Sequence, residues 1–259
     1  MRTARFRDPA GYERTGEWTD DGIEAAGRTF DPDAVELLAP VEPSKIVCVG
    51  LNYVDHIEEG GNDIPDRPSL FLKPPNAVAA DGDTITLPEP DVDPEDTPEA
   101  SGEIALGEGR IDYEAEVGVV IGEQCRNVAA EDAEAVIGGY TCLCDVSNRD
   151  DQKTELNWVR GKAFDGSAPM GPVVADPEHV PEDPRVRLWQ NGELRQDSAG
   201  DEFVFSPAEV IEAVTAFVTL EPGDVLSMGT TYGVGPMSDG DEIELEVEGV
   251  GTLSFDVEA

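Results

Sequence analysis

Residues 112–122 read Asp-Tyr-Glu-Ala-Glu-Val-Gly-Val-Val-Ile-Gly, and no other stretch constrains the fold as strongly. From Val117 to Ile121 there is no polar side chain, the pattern of a strand covered on both faces. Alternate side chains of a strand share a face, so Glu114 and Glu116 point together while Tyr113, Ala115 and Val117 point the other way. Two like charges heading a buried strand are costly unless positive charge lies between them. A third carboxylate, Asp145, follows a second strand-like run, Tyr140-Thr141-Cys142-Leu143-Cys144. With no Cys/His set beside them, Glu114, Glu116 and Asp145 offer oxygen donors suited to a hard dication, Mg²⁺ or Mn²⁺, over zinc.

An acidic pair alone carries little weight here. With 57 Asp+Glu in 259 residues, composition by itself produces roughly a dozen pairs at this spacing, and most charge pairs are solvated faces. The apolar continuation sets this one apart. The formal net charge is −40, yet 39% of residues are hydrophobic and 27 more are Gly, enough for an ordinary core. The excess acid therefore belongs on the surface. Lysine is confined to Lys45, Lys73, Lys153 and Lys162, so 13 of the 17 basic residues are Arg.

Such a surface suits molar salt, where the Debye length is only about 3 Å and self-repulsion is screened. A halophilic, cytoplasmic protein is expected. Nucleic acid and anionic membranes are excluded as partners, since both need clustered Lys/Arg. Residues 1–7 are basic but lack the apolar segment of a leader, and no apolar run has membrane-spanning length. Cys48, Cys125, Cys142 and Cys144 form no Cys-x-x-Cys motif and are expected as buried free thiols.

Residues 1–42 are polar and Gly-punctuated, predicting a small N-terminal subdomain of short strands with one short helix over 31–38. Residues 43–259 form the main domain, with an acidic, Pro-bearing surface loop at 91–109. A helix is predicted over 130–137, capped by Asn127 and stopped at Gly138-Gly139. Ser206-Pro207-Ala208-Glu209 is a capping box opening a second helix, with Val210, Ile211, Val214, Phe217 and Val218 as its apolar face. Residues 241–257 alternate as a hairpin, with Ile243, Leu245 and Val247 answering Leu253, Phe255 and Val257. The fold class is α+β and β-rich, without a doubly wound sheet or a phosphate-binding Gly loop.

Set in order, several segments resemble the fumarylacetoacetate hydrolase family. They are Val49-Gly50-Leu51-Asn52-Tyr53-Val54-Asp55-His56, Leu70-Phe71-Leu72-Lys73-Pro74 and the run from Asp112 to Gly122. Gly139-Tyr140-Thr141, Asp145 to Gln152, Gly161-Lys162-Ala163-Phe164-Asp165 and Met170-Gly171-Pro172 follow, and Pro222-Gly223-Asp224 leads to Gly229-Thr230-Thr231-Tyr232-Gly233. Two departures stand out. Thr231 replaces the proline of a common Gly-Thr-Pro turn, and Leu51 stands where some hydrolases carry Arg.

The resemblance implies a mixed β-roll of the family's C-terminal domain type with a few peripheral helices, assembled as a homodimer. It implies Mg²⁺ (or Mn²⁺) on Glu114, Glu116 and Asp145, and a small 2-oxo acid substrate chelating that ion. His56 would act as general base with Glu59, three residues on, together activating water. Lys162 would stabilise a developing oxyanion; two of the chain's four lysines, Lys73 and Lys162, fall within matched segments. Lys73, Arg149, Gln152 and Thr230 would contact substrate. The leading expectation is hydrolysis of a C–C bond in an acylpyruvate- or fumarylpyruvate-type 2,4-dioxo acid through a metal-bound enolate, in aromatic catabolism. The alternatives are an isomerase or decarboxylase of 2-hydroxyhepta-2,4-diene-1,7-dioate or 5-carboxymethyl-2-hydroxymuconate, an oxaloacetate tautomerase or decarboxylase, a 2-oxo-3-deoxy sugar acid dehydratase, and a non-catalytic acidic binding protein.

Overall fold

The computed structural model describes residues 1–59, 63–88, 109–198 and 202–259, except for the side chains of Glu58 and Glu59. Apart from Gly109 and Arg110, the acidic stretch and its approach to residue 111 lie outside those residues. The strand Ala115–Ile121 is buried at every position. It runs antiparallel between Ile137–Cys144 and Val225–Thr230 in the middle of a 12-stranded sheet. Beyond Val225–Thr230 come Ile46–Gly50, in parallel, and the edge strand Ser69–Lys73. On the other side, Ala168–Ala175 joins Ile137–Cys144 to the N-terminal strands Arg2–Arg7, Glu13–Thr19, Gly22–Ala25 and Arg28–Phe30. The first forty residues thus continue the same sheet as the central strand.

A five-stranded sheet packs across this one. Its terminal hairpin pairs Glu242–Val247 with Gly251–Glu258, and Ile243, Leu245, Val247, Leu253, Phe255 and Val257 are all buried, as the alternation predicts. These side chains form one core cluster with Val117, Val119, Cys142 and Cys144 of the large sheet. Burying a side chain of this size contributes about 1.5–3 kcal/mol, so the two inner faces hold the sheets together. All four cysteines are buried and unpaired. A strand-rich fold with few helices results, and no helix among the described residues is long and apolar enough to cross a membrane.

The helix Pro207–Thr215 opens as expected: Ser206 Oγ accepts from Glu209 N, and the Glu209 carboxylate accepts from Ser206 N at 2.9 Å. Val210, Ile211 and Val214 are buried, but the helix ends at Thr215 and Phe217 lies 62% exposed. Residues 130–137 differ from expectation. Ala130–Val136 is a 3₁₀ segment with only Ala133 buried, and Asn127, at φ +53°, does not cap it. Three acids in seven residues leave no apolar stripe for an α-helix to bury. Gly138 is not a helix stop; it lies within a strand, where a Cβ would sit 2.9 Å from Gly122 Cα. The helix expected at 31–38 is a 3₁₀ turn, Pro32–Ala34, followed by the strand Glu36–Leu38 paired with Arg5–Arg7. Pairing into an existing sheet satisfies that backbone better than two isolated helical turns.

Candidate active site

Strand register brings the three carboxylates together. Ala115 lies opposite Cys144 and Glu116 opposite Leu143, so the next step of the ladder sets Glu114 beside Asp145. A main-chain bond, Asp145 N to Glu114 O at 2.9 Å, holds that step. Glu114 sits in the break between Ile111–Tyr113 and Ala115–Ile121, where the chain changes sheets. Glu114, Glu116 and Asp145 are 5%, 2% and 0% exposed, and each offers an oxygen within 4.8 Å of the others. Among the described residues no other cluster of this kind occurs.

Cations alternate with these acids in one continuous chain. Arg110 Nε lies 2.7 Å from Asp112, whose other oxygen accepts from Arg149 Nε at 2.8 Å. Arg149 reaches on to Glu114 at 2.5 Å and to the Gln152 amide oxygen at 3.0 Å. Lys162 donates its three protons to Glu114 and Asp145, both at 2.8 Å, and to Ser147 Oγ at 2.5 Å. Local structure places both donors. Asn148 caps the helix Arg149–Thr154 by accepting from Asp150 N and Asp151 N, and Lys162 ends the short helix Val159–Lys162.

Lys73 closes the chain from below and does not line the cavity. It is fully buried and gives its protons to the carbonyls of Val146, Lys162 and Ser167 at 3.2, 2.5 and 2.8 Å. Its Nζ lies 2.8 Å from Asp145 Oδ1, but with all three protons aimed at carbonyls this is a charge contact without a hydrogen bond. Asp145 Oδ1 is therefore a buried carboxylate oxygen with no donor. Its place suits a support beneath the carboxylates.

Glu116 differs from its neighbours. It accepts from the Ser227 hydroxyl and from Gly229 N at 2.7 Å, but no lysine or arginine among the described residues pairs with it. Burial, then the charges of Asp145 and Glu114, push its pKa up to about 8. Burial also acts on Glu114, but Arg149 and Lys162 outweigh it and hold that carboxyl well below the usual range. Burial disfavours the Lys162 ammonium, yet Asp145 and Glu114 raise its pKa above the ordinary value. One buried carboxylate without a cation and one carboxylate oxygen without a donor fit a hard dication among the three acids.

Above them lies a cavity of about 270 Å³, bordered by His56, Arg149, Gln152, Lys162 and Thr230 as well as the three acids. His56, half-buried on the helix Val54–Glu59, is close enough for its charge to lower the pKa of Glu114. Glu59 ends the same helix one turn on, with its side chain outside the described residues. His179 is elsewhere, 3.0 Å from the N-terminal amine. Phe71, Trp158 and Leu51 supply apolar wall. Leu51 (φ +57°) and Trp158 (φ +56°) both take the left-handed conformation, which costs a non-Gly residue about 1–2 kcal/mol. Asp112, Ser227 and Gln196 belong to this assembly as well, though nothing in the sequence reading gave them a role. A polar residue in the apolar strand Val225–Thr230 was a usable signal for Ser227; Gln196, among polar strand neighbours, had none.

Residues 45–258 match the family described as fumarylacetoacetate (FAA) hydrolase C-terminal. The chain belongs to that family. It is accordingly an enzyme. An oxaloacetate tautomerase of Bacillus subtilis (strain 168) is 36% identical over 252 residues, covering 92% of this chain and 78% of its own. A 5-carboxymethyl-2-hydroxymuconate delta-isomerase from Mycobacterium smegmatis has a TM-score of 0.84 at 35% identity, covering 100% of this chain and 98% of that one. A maleylpyruvate hydrolase from Sphingobium sp. SYK-6, in complex with manganese(II) ion and pyruvate, has a TM-score of 0.80 at 29% identity, covering 100% and 99%. Family membership thus spans isomerase, tautomerase and hydrolase chemistry.

Proposed function

We propose that this chain is a Mg²⁺- or Mn²⁺-dependent enzyme that interconverts the keto and enol forms of a small 2-oxo acid, with oxaloacetate as the first substrate to test. One observation carries the reading: a carboxylate with no cation partner among the described residues, Glu116, shares a small cavity with Arg149, Lys162 and an imidazole. A dication held by Glu114, Glu116 and Asp145 would supply Lewis-acid stabilisation of negative charge on substrate oxygens. Every other part is the chain's own. Arg149 and Lys162 keep Glu114 ionised. In the keto-to-enol direction His56 would take a proton from the carbon beside the 2-oxo group and deliver it to the 2-oxo oxygen, and in the reverse direction it would move the proton back to carbon. Thr230 and Gln152 orient the acid, while Phe71, Trp158 and Leu51 limit water.

Hydrolysis of an acylpyruvate-type C–C bond is the second reading. It is favoured by likeness to the maleylpyruvate hydrolase and by Glu59 standing one turn beyond His56. In that case His56 takes its proton from water. The acid excess points to assays in molar KCl, and a homodimer is the assembly proposed. Decay of the oxaloacetate enol band, loss of acetylpyruvate absorbance and loss of 5-carboxymethyl-2-hydroxymuconate should be followed with MgCl₂ and with MnCl₂. Accelerated enol decay supports the first reading, and acetate release from acetylpyruvate moves the assignment to hydrolysis. Failure of all substrates with both metals overturns the proposal; a monomer mass by light scattering removes the dimer.

A further inference from the structure

We propose that Gln196 is a positioning residue that fixes the Thr230 hydroxyl as a hydrogen-bond donor into the cavity. The inference rests on the 2-oxo acid reading for its ligand, but its geometry stands apart from it. Gln196 lies on the strand Glu193–Ser198 of the five-stranded sheet, whose first three residues are exposed; it is itself 1% exposed. Its side chain crosses to the large sheet and meets three kinds of partner there.

Two of those partners settle which end of the amide is which. Ala115 N, a group that can only donate, lies 3.0 Å from Oε1. Thr231 O, a group that can only accept, lies 3.0 Å from Nε2. The orientation is therefore set twice over, by peptide groups that cannot exchange roles. One Nε2 proton serves Thr231 O, and the other serves Thr230 Oγ1 at 2.9 Å; Thr231 Oγ1 is farther, at 3.2 Å. Thr230 thus accepts from Gln196, and its own proton has no acceptor among the described residues. The residue borders the cavity and sits opposite Glu116 in the strand ladder.

The wall beside Glu116 consequently presents a donor whose direction does not depend on the ligand. A carboxylate, 2-oxo or enolate oxygen satisfies it, whereas an ammonium or amide N–H arriving at the same place meets a proton. The same amide binds the peptide between Glu114 and Glu116, so one side chain ties a substrate donor to the two acids.

Neutron diffraction on deuterated protein reads the hydroxyl directly. The deuteron on Thr230 Oγ1 should point into the cavity; a deuteron aimed at Gln196 overturns the proposal, whatever the enzyme does. The second arm uses pyruvate as the probe and calorimetry on manganese-loaded protein in molar KCl. Thr230→Val should weaken pyruvate binding about tenfold with manganese affinity unchanged, and Gln196→Met should weaken pyruvate binding several-fold. In the Thr230→Val background, Gln196→Met should cause no further loss. Independent, additive losses would assign Gln196 a merely structural role and overturn the proposal. Wild-type protein that takes manganese but not pyruvate would instead defeat the 2-oxo acid reading, leaving the neutron result to judge Gln196.

Discussion

The floor of the cavity and the outer surface both hold more acid than a folded protein easily tolerates, and they resolve it differently. Outside, carboxylates face water, and pairs such as Arg185 with Asp197 at 2.5 Å are solvated on both sides. Inside, Asp112, Glu114 and Asp145 each touch two cations at 2.5–2.8 Å, and water contributes almost nothing. Exposed pairs are worth little, because solvent replaces whichever partner is lost. A buried pair that loses one member leaves a charge with nowhere to go. The comparison teaches that charge count is a poor guide to energy in this molecule. Position decides.

The largest test is Lys73→Met. It leaves Asp145 with Lys162 as its one cation and three buried carbonyls without their donor, and should cost about 3–5 kcal/mol of stability in a denaturant titration; a loss below about 1 kcal/mol would mean the floor behaves like the surface. His56→Ala should slow turnover by roughly 10²–10⁴-fold with the melting curve unchanged, and full activity would reassign the proton carrier. Glu116→Gln keeps the shape and both hydrogen-bond donors, yet should weaken manganese binding by more than about 100-fold in a calorimeter. Retained affinity would detach Glu116 from the metal.

A smaller effect follows from pH. The folded pKa of Glu116, about 8, lies above its ordinary 4.5, so between these values the folded state holds a proton that the unfolded chain has lost. Stability of the metal-free protein should therefore fall as pH rises across that window. Glu114, shifted the other way, is ionised in both states there and adds no slope; its contribution disappears only in acid. Melting curves with a chelator should show the decline, and saturating manganese should flatten it; a flat metal-free profile would mean Glu116 is already ionised. Smallest of all, Arg185→Ala should leave the melting midpoint in molar salt where it was, and a clear drop would erase the distinction between the two regions.

Much of the floor was legible because a strand's period is fixed. Once Glu114 and Glu116 sat at the head of an apolar run, their shared orientation followed, and Asp145 needed only an antiparallel partner strand. The terminal hairpin and the capped helix were legible on the same grounds of periodicity and local chemistry. Lys73 stands out by its rarity, but rarity does not say whether an ammonium faces a cavity or three carbonyls. Gln196 was invisible, since an inward amide on a polar strand looks like its solvated neighbours. Gly138 misled because a glycine after an acidic segment reads equally as a helix stop or as room for a backbone crossing, and only the sheet decides.

The alternating chain has a consequence for what can enter. Arg110, Arg149, Lys162 and Lys73 equal Asp112, Glu114, Asp145 and Glu116 in number, although none of the four pairs with Glu116, so with all eight ionised these groups sum to neutrality. A divalent ion added to that set leaves two positive charges at the bottom of a pocket in a molecule of net charge −40. An incoming dicarboxylate would cancel them in full, whereas a monocarboxylate would leave one standing; selectivity for doubly charged acids would then be a property of the pocket's electroneutrality, with no residue dedicated to it.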